Sequence, residues 1–357
     1  REGDVFASSA DIGWIAGHSY IVYGPLAHGV TTCLFDSTPV HPDPSRFWRF
    51  IERHRVNSFY TAPTAVRLLM KYGTEPLEGV DLSSLRVIGC VGEPISPEAW
   101  MWLHTHPGQG RCAVVDTYWQ TETGAAMLTT IPTIHEPKAG APGFPFLGIL
   151  PDVIDADGNP VAPDEEGNRR GDLVFRSAWP GLARTIFNDH ERYYNTYFHH
   201  VGSTFITGDG CMMDKDGYIW ISGRTDDVIN KAGHRLGTAE IEAALAEHSS
   251  VAEAAVIGIP DEVKGQGICA FIILKEGEKE DDILHGSLKA EVRKHIGGLA
   301  VPDILFIVPG LPKTRSGKIM RRILRKIQAK DSNFGDVSTL AEPGIVNELV
   351  ELWNAKH

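Results

Sequence analysis

From Val30 to about Val115 the chain alternates short apolar runs with amphipathic ones, and this alternation limits the fold more than any other feature. VTTCLF is followed by Phe47, Phe50, Ile51 and His54 at helical spacing. VNSFYT is followed by AVRLLMKY, and LRVIGCV by a helix opening at Pro97 and then by AVVD at 113–116. Strands linked by helical crossovers must pack on a largely parallel sheet, because adjacent parallel strands cannot be joined by a tight turn. In such sheets ligands sit at the loops that follow the strands. GEP at 92–94 and DTYWQTETG at 116–124 both come at the end of a predicted strand, where this architecture places chemistry.

Between about Gly140 and Gly223 the pattern changes to short strands and turns, DADGNP, GDLVF, TFITGD and DKDGYIWISG, which predicts a β-rich subdomain. After GRTDDVIN at 223–230 a new set of elements begins. The spacing predicts a helix at 238–248, strands at 253–259 and 268–274, a helix at 281–296, a strand at 303–308 and a helix at 317–329. The fold class expected is α/β: sheet layers plus a β-rich subdomain in part of a large domain over 1–226, then a small α+β domain over 227–357. In PKTRSGKIMRR at 312–322, Gly317 permits a tight turn and Lys318 is expected to start a basic amphipathic helix whose apolar face is Ile319, Met320, Ile323, Leu324 and Ile327.

Composition excludes several classes. With 42% hydrophobic and 22% charged residues in 357, the chain is ordinary for a soluble globular protein. A net charge of -12 argues against a broad grip on nucleic acid, and no apolar run is long enough to span a bilayer. The helix at 318–330 is the one basic cluster, but Ile323, Leu324 and Ile327 are needed for packing, which weakens a nucleic-acid or membrane role. Five cysteines without C-x-x-C spacing fit a reducing compartment and give no zinc site.

Several motifs recur in one order: DIGWIAGHSYIVYGPL at 11–26, YTAPTA at 60–65, VGEP at 91–94, YWQTETG at 118–124, TGDG at 207–210, GRTDD at 223–227, GHRLGTAEIE at 233–242, the Lys318 segment, and GDVSTLAEPGIV at 335–346. Together they resemble the adenylate-forming enzymes, and within them the AMP-forming acetyl-coenzyme A synthetases. The resemblance implies a two-step ligase using acetate, ATP and coenzyme A, with Mg²⁺ as the ATP counterion and AMP as a product. It also implies a Ser/Thr/Gly-rich phosphate loop ending in lysine, and arginines for coenzyme A, upstream of REGDVF. The chain is therefore expected to be a C-terminal part of such an enzyme, inactive alone. A cytoplasmic setting is implied, with nuclear or mitochondrial variants open.

The resemblance assigns roles residue by residue. Lys318 is the catalytic lysine, Thr121 bonds the α-phosphate and Glu122 holds Mg²⁺. Gly92, Glu93 and Pro94 line the adenine and ribose, and Asp116, Thr117, Tyr118, Trp119 and Gln120 complete the nucleotide site. Asp209 takes the ribose hydroxyls, with Arg224 and Arg235 near ribose and phosphates; an Asx turn and surface ion pairs are the plainer readings. Trp119, with Ile15 and Val91, closes the acid pocket to a two-carbon chain, unless Trp119 is simply core. Arg293 meets coenzyme A, or is a solvated arginine. Ala16, Val40 and Ala232 stand where Thr, Asn and Ser are usual in coenzyme A contacts. A cation would sit on His248 with Ala246 and Val251, although a histidine at a helix end is also a simple cap. Asp226 marks the hinge, and Lys318 is a target for a lysine acetyltransferase and deacetylase. Alternatives left open are a propionate or other short-chain acyl-CoA ligase and a non-catalytic AMP-binding short form.

Overall fold

Apolar runs and crossovers resolve into a seven-stranded sheet. A computed structural model describes residues 3–198, 202–232, 234–314 and 317–356, except for the side chains of Asp226, Asn230, His234 and Arg235. The strands β1 (Val5–Ser8), β2 (Thr31–Leu34), β3 (Ser58–Thr61), β4 (Val87–Cys90), β5 (Ala113–Tyr118), β6 (Leu128–Thr129) and β7 (Phe144–Pro145) lie in the order β2-β1-β3-β4-β5-β6-β7. The pairs from β2 to β5 are parallel, as the crossovers require, and β6 and β7 continue the sheet antiparallel. The helix Arg46–His54 buries Phe47, Trp48 and Ile51 in one core with Phe59, Ile88 and Val114 of the sheet. The helix Pro97–Thr105 adds Ala99 and Leu103, and its first turn is capped by the Ser96 hydroxyl, which accepts from Ala99 N–H at 3.2 Å.

The β-rich stretch forms a second sheet. It comprises β8 (Pro151–Ile154), β9 (Arg169–Phe175), β10 (Phe205–Met213) and β11 (Ile219–Arg224), in the order β11-β10-β9-β8. TGDG, expected as a turn, lies inside β10, whose register with β9 shifts between Ile206 and Gly210. The extra residues of that bulge carry the motif without ending the strand. Contacts divide the chain into two compact units after Ile221, within β11, and the expected boundary at Asp226 falls in the 3-10 turn Thr225–Asp227 that follows.

In the second unit β12 (Val228–Lys231), β13 (His234–Gly237), β14 (Val251–Asp261), β15 (Gly265–Leu274) and β16 (Ile304–Ile307) form one sheet. The period of 2 is read directly in its two cores. Ala255, Ile257, Cys269 and Phe271 face the helices Arg321–Gln328 and Gly344–Lys356, through Ile323, Leu324, Leu349 and Trp353. Val256, Ile268, Ala270 and Ile272 face the helices Thr238–Ala246 and Asp282–His295, through Ile241, Leu245, Leu288 and Val292.

Lys318 does not start the last basic helix, which begins at Arg321. The chain instead folds back on itself: Lys313 and Ile319 form a bridge, Thr314 N–H donates to the Lys318 carbonyl at 2.9 Å, and Met320 N–H donates to the Pro312 carbonyl at 2.8 Å. Gly317 adopts φ +87°, a turn conformation incompatible with helix. No helix among the described residues is long and apolar enough to cross a membrane.

One residue breaks the polarity rule in β5. Val114, Asp116 and Tyr118 alternate inward, so Asp116 is buried, and that burial pushes its carboxyl up to about 7. A carboxyl raised in the folded state favours folding below its unfolded value, and the contribution is lost as pH rises toward the folded one. Asp116→Asn should therefore gain stability relative to the wild type as pH rises from about 4 to about 8, by about 2 to 4 kcal/mol in urea unfolding. A stability difference independent of pH would show that the buried carboxyl does not titrate in this range.

Candidate active site

The strand β5 and the turn after it carry the DTYWQTETG residues. Asp116, Thr117 and Tyr118 belong to the strand itself, and Trp119 and Gln120 lead into the 3-10 turn Thr121–Thr123. That turn is clamped by chain remote in sequence. Trp179 Nε1 donates to the Thr123 carbonyl at 2.9 Å, Ala183 N–H to the Glu122 carbonyl at 2.8 Å, and Ser19 Oγ to the Gly124 carbonyl at 2.9 Å. Gly124 has φ +79°, and a Cβ there would meet the Gly181 carbonyl oxygen at 2.5 Å, so only glycine permits this approach.

Asp209 of β10 is buried and gathers the motif around it. Its Oδ2 accepts from the Tyr118 hydroxyl at 2.6 Å and from Gln120 Nε2 at 2.5 Å, and Gln120 Nε2 also donates to the Thr207 carbonyl at 2.7 Å. With both donors of that amide directed inward, Gln120 Oε1 is buried. Thr121 is exposed at the head of the turn, and Glu122 beside it accepts at Oε1 from the Tyr197 hydroxyl.

The loop after β4 carries Val91, Gly92, Glu93 and Pro94. Gly92 has φ +101° and open space where a Cβ would stand, leaving the backbone approachable. Glu93 is held from the helix Pro63–Met70, where Arg67 donates to Oε2 at 2.8 Å and the Thr64 hydroxyl to Oε1. Val91 and Trp119 are buried in one cluster with Tyr60, and Ile15 and Ala16 pack against it. The three predicted wall residues therefore come together. Val40 packs elsewhere, against the core under the parallel sheet.

In the second unit Arg293 lines a cavity of about 590 Å³ with Lys231, Ala232, Lys264, Lys289 and Asp303. Lys231 and Lys264 both donate to the Asp303 carboxylate, at 2.8 Å each, and these two cations hold that carboxyl down at about 2 despite its partial burial. Arg224 ends β11 and is exposed, and Lys318 is exposed on its turn. The side chains of Arg235 and Asp226 lie outside the described residues. His248 uses both ring nitrogens locally: Nδ1 accepts from Ser250 N–H at 3.2 Å and Nε2 meets the Ser287 hydroxyl at 2.9 Å. Ala246 ends the preceding helix and Val251 opens β14, so the three residues are neighbours around a tight connection.

Sequence reasoning missed Tyr60, Thr64, Arg67 and Tyr197. The first three lie in or beside YTAPTA, which pointed to the segment without pointing to their partners; Tyr197 carried no signal.

The sequence and the fold match those of known proteins. The AMP-binding enzyme family matches residues 1–187, and the AMP-binding enzyme C-terminal domain matches residues 240–318. An acetyl-coenzyme A synthetase of Parvibaculum lavamentivorans is 52% identical over 352 residues, covering 98% of this chain and 54% of that protein. An acetyl-coenzyme A synthetase of Escherichia coli is 53% identical over 350 residues, with 98% and 53% covered. The chain thus spans about half the length of the curated relatives it matches. Acetoacetyl-CoA synthetase from Streptomyces lividans superposes with a TM-score of 0.88 at 25% identity, over 100% of this chain and 54% of that one. An anthranilate CoA ligase in complex with anthranoyl-AMP gives 0.75 at 27% identity, over 91% and 60%. With half of the chain matched by that family's model and relatives 52% and 53% identical over 98% of it, the chain belongs to the AMP-binding enzyme family.

Proposed function

We propose that the chain supplies the acid pocket, nucleotide site and C-terminal domain of an AMP-forming acetate–CoA ligase. Acetate would attack the α-phosphate of ATP to give acetyl-adenylate and pyrophosphate, and the thiol of coenzyme A would then displace AMP to give acetyl-CoA. One observation carries this reading. Trp119 is buried beside Val91, with Ile15 packed on the same cluster, and its chain neighbours Tyr118 and Gln120 both hold Asp209. An apolar wall fit for a short acid is thereby built into the same few residues as a carboxylate fit for ribose hydroxyls.

In the first step two anions must meet, so cations and fixed donors have to offset their repulsion. Lys318 would bridge the acetate carboxylate and the α-phosphate with a compact, mobile ammonium, for which its exposure on a turn is suited. The Thr121 hydroxyl would donate to the α-phosphate, and Gly92, Glu93 and Pro94 would face adenine and ribose along with Asp116 and Thr117. Arg224 and Arg235 would serve ribose and phosphate oxygens. Glu122 offers hard oxygen ligands for Mg²⁺, which when bound offsets triphosphate charge. In the second step Arg293 would meet the nucleotide end of coenzyme A, a role supported by the cationic lining of its cavity. Asp226 would be the hinge about which the C-terminal domain turns between the steps. A cation on His248, Ala246 and Val251 would have to displace the Ser250 and Ser287 contacts of the ring. We place the enzyme in the cytoplasm, and the exposed Lys318 is open to acetylation and deacetylation.

Two experiments on the complete protein test this reading. Lys318→Ala should lower acetate-dependent ATP–pyrophosphate exchange by about 100-fold or more, the scale of losing one preorganised donor at the reacting phosphate. Thioester formation from supplied acetyl-adenylate should largely survive; equal loss of both half-reactions would refute the division of labour. Trp119→Gly should shift preference from acetate toward acids of four or more carbons, with each methylene worth about 1–3 kcal/mol in competition assays. Unchanged acetate preference would make Trp119 a core residue only.

A further inference from the structure

The indole of Trp119 is held by more than packing. Its Nε1 lies 3.2 Å from the Tyr60 hydroxyl oxygen, which lies 2.5 Å from Thr117 Oγ1, which lies 2.8 Å from the Cys90 carbonyl oxygen. The proton direction along this chain is determined. An indole nitrogen only donates, and the Thr117 hydroxyl spends its single proton on Cys90, so the Tyr60 hydroxyl must accept from Trp119 and donate to Thr117. Burial pushes the Tyr60 phenol far above its ordinary range, which keeps it protonated for that role. Trp119 Nε1–H, Tyr60 O–H and Thr117 O–H thus form a relay that ends on the β4 backbone and passes through β3 and β5. Every member is buried or half-buried, where an unmade hydrogen bond is costly and linked bonds reinforce one another.

Given the acid pocket proposed above, the geometry points to Tyr60 as the residue that sets acyl-chain selectivity, by fixing the orientation of the Trp119 indole against the sheet. Tyr60 itself is a positioning residue. Its ring also packs on Tyr20, at 4.9 Å between centroids, and Tyr20 stands edge-on to Trp119 at 5.2 Å. Tyr20 differs in one respect: its hydroxyl accepts from Ala126 N–H at 3.1 Å and takes no part in the relay. The pair therefore separates hydrogen bonding from packing.

Tyr60→Phe keeps the ring and removes the hydroxyl; Tyr20→Phe removes a hydroxyl outside the relay. In the complete protein, kcat/KM for acetate divided by that for propionate should fall about tenfold in Tyr60→Phe and stay unchanged in Tyr20→Phe, a tenfold ratio being the low end of single-methylene discrimination. In protein labelled with 15N-tryptophan, the Trp119 indole N–H resonance, assigned by its loss in Trp119→Phe, should shift and exchange faster with solvent only in Tyr60→Phe. Equal loss of turnover with both acids, unchanged selectivity, or an indole resonance unmoved by Tyr60→Phe would each overturn the role. Absence of carboxylate-dependent pyrophosphate exchange in the wild type would overturn the ligase reading and this role together, whereas normal wild-type exchange with unchanged Tyr60→Phe selectivity overturns this role alone.

Discussion

The site in the first unit depends on one buried carboxylate. Asp209 sits buried in the middle of a strand, where a carboxyl is costly without hydrogen bonds to its oxygens. Tyr118 and Gln120 supply them, and in doing so they tie the end of a parallel strand in one sheet to a bulged strand in another. The register shift between Ile206 and Gly210 is what lets an acidic residue turn toward β5 without breaking β10. Because both neighbours of Trp119 are pinned in this way, the tryptophan cannot move independently, and the following turn inherits a fixed starting point. The backbone clamp from Trp179 and Ala183 then fixes its far end.

The basic segment of the second unit is largely structural. The helix Arg321–Gln328 buries Ile323, Leu324 and Ile327, and three of its cations, Arg321, Arg325 and Lys326, pair with acids of the unit, while Arg322 donates to the Phe334 and Asp336 carbonyls. Arg321 forms a forked contact with Glu242, at 2.6 and 2.8 Å, and Arg325 pairs with Asp227. Glu242 is sufficiently buried that desolvation pushes its carboxyl up even against the pull of Arg321. Breaking such a pair from one side leaves an uncompensated buried charge, which commonly costs about 3–5 kcal/mol. The helix is therefore an internal strut, and most of its positive charge is neutralised within the unit. Lys318 lies just before it, exposed on a turn held by backbone hydrogen bonds and by the Thr314 hydroxyl, which accepts from Lys318 N–H at 3.2 Å.

The parallel sheet, the β-rich layer and the small α+β domain were all legible in the sequence, because each is written in local periodicity. Short apolar runs at 253–259 and 268–274 marked the two strands of the central hairpin, and the apolar helical positions at 323, 324 and 327 marked the strut. The errors have a common origin. Ser-Gly before a helical pattern signals either a cap or a hairpin turn, and only the bridge from Lys313 to Ile319 distinguishes them. TGDG signals a turn unless a strand continues on both sides, which depends on pairing with Arg169–Phe175. Motif resemblance named Glu93, Trp119 and Glu122 but could not name what holds them. Arg67, Tyr60 and Tyr197 are 26, 59 and 75 residues away in sequence, and no local pattern encodes such distances.

The three wall residues of the proposed acid pocket are held by forces of different stiffness, and that difference decides how such a pocket can vary. Trp119 is fixed by hydrogen bonds that end on the sheet backbone, so replacing it leaves Tyr60 with an unpaired acceptor as well as a cavity. Val91 N–H donates to the Thr61 carbonyl at 3.0 Å, which makes the residue an extension of β4, buried on its strand. Ile15 is only half-buried, in a three-residue helix, and its side chain is retained by packing alone. Volume-conserving apolar exchanges at a site of that kind usually cost less than about 1.5 kcal/mol. The proposed pocket would thus combine a rigid back wall with one compliant side, and graded changes in acid size would be met at Ile15 without disturbing the hydrogen bonds that hold Asp209.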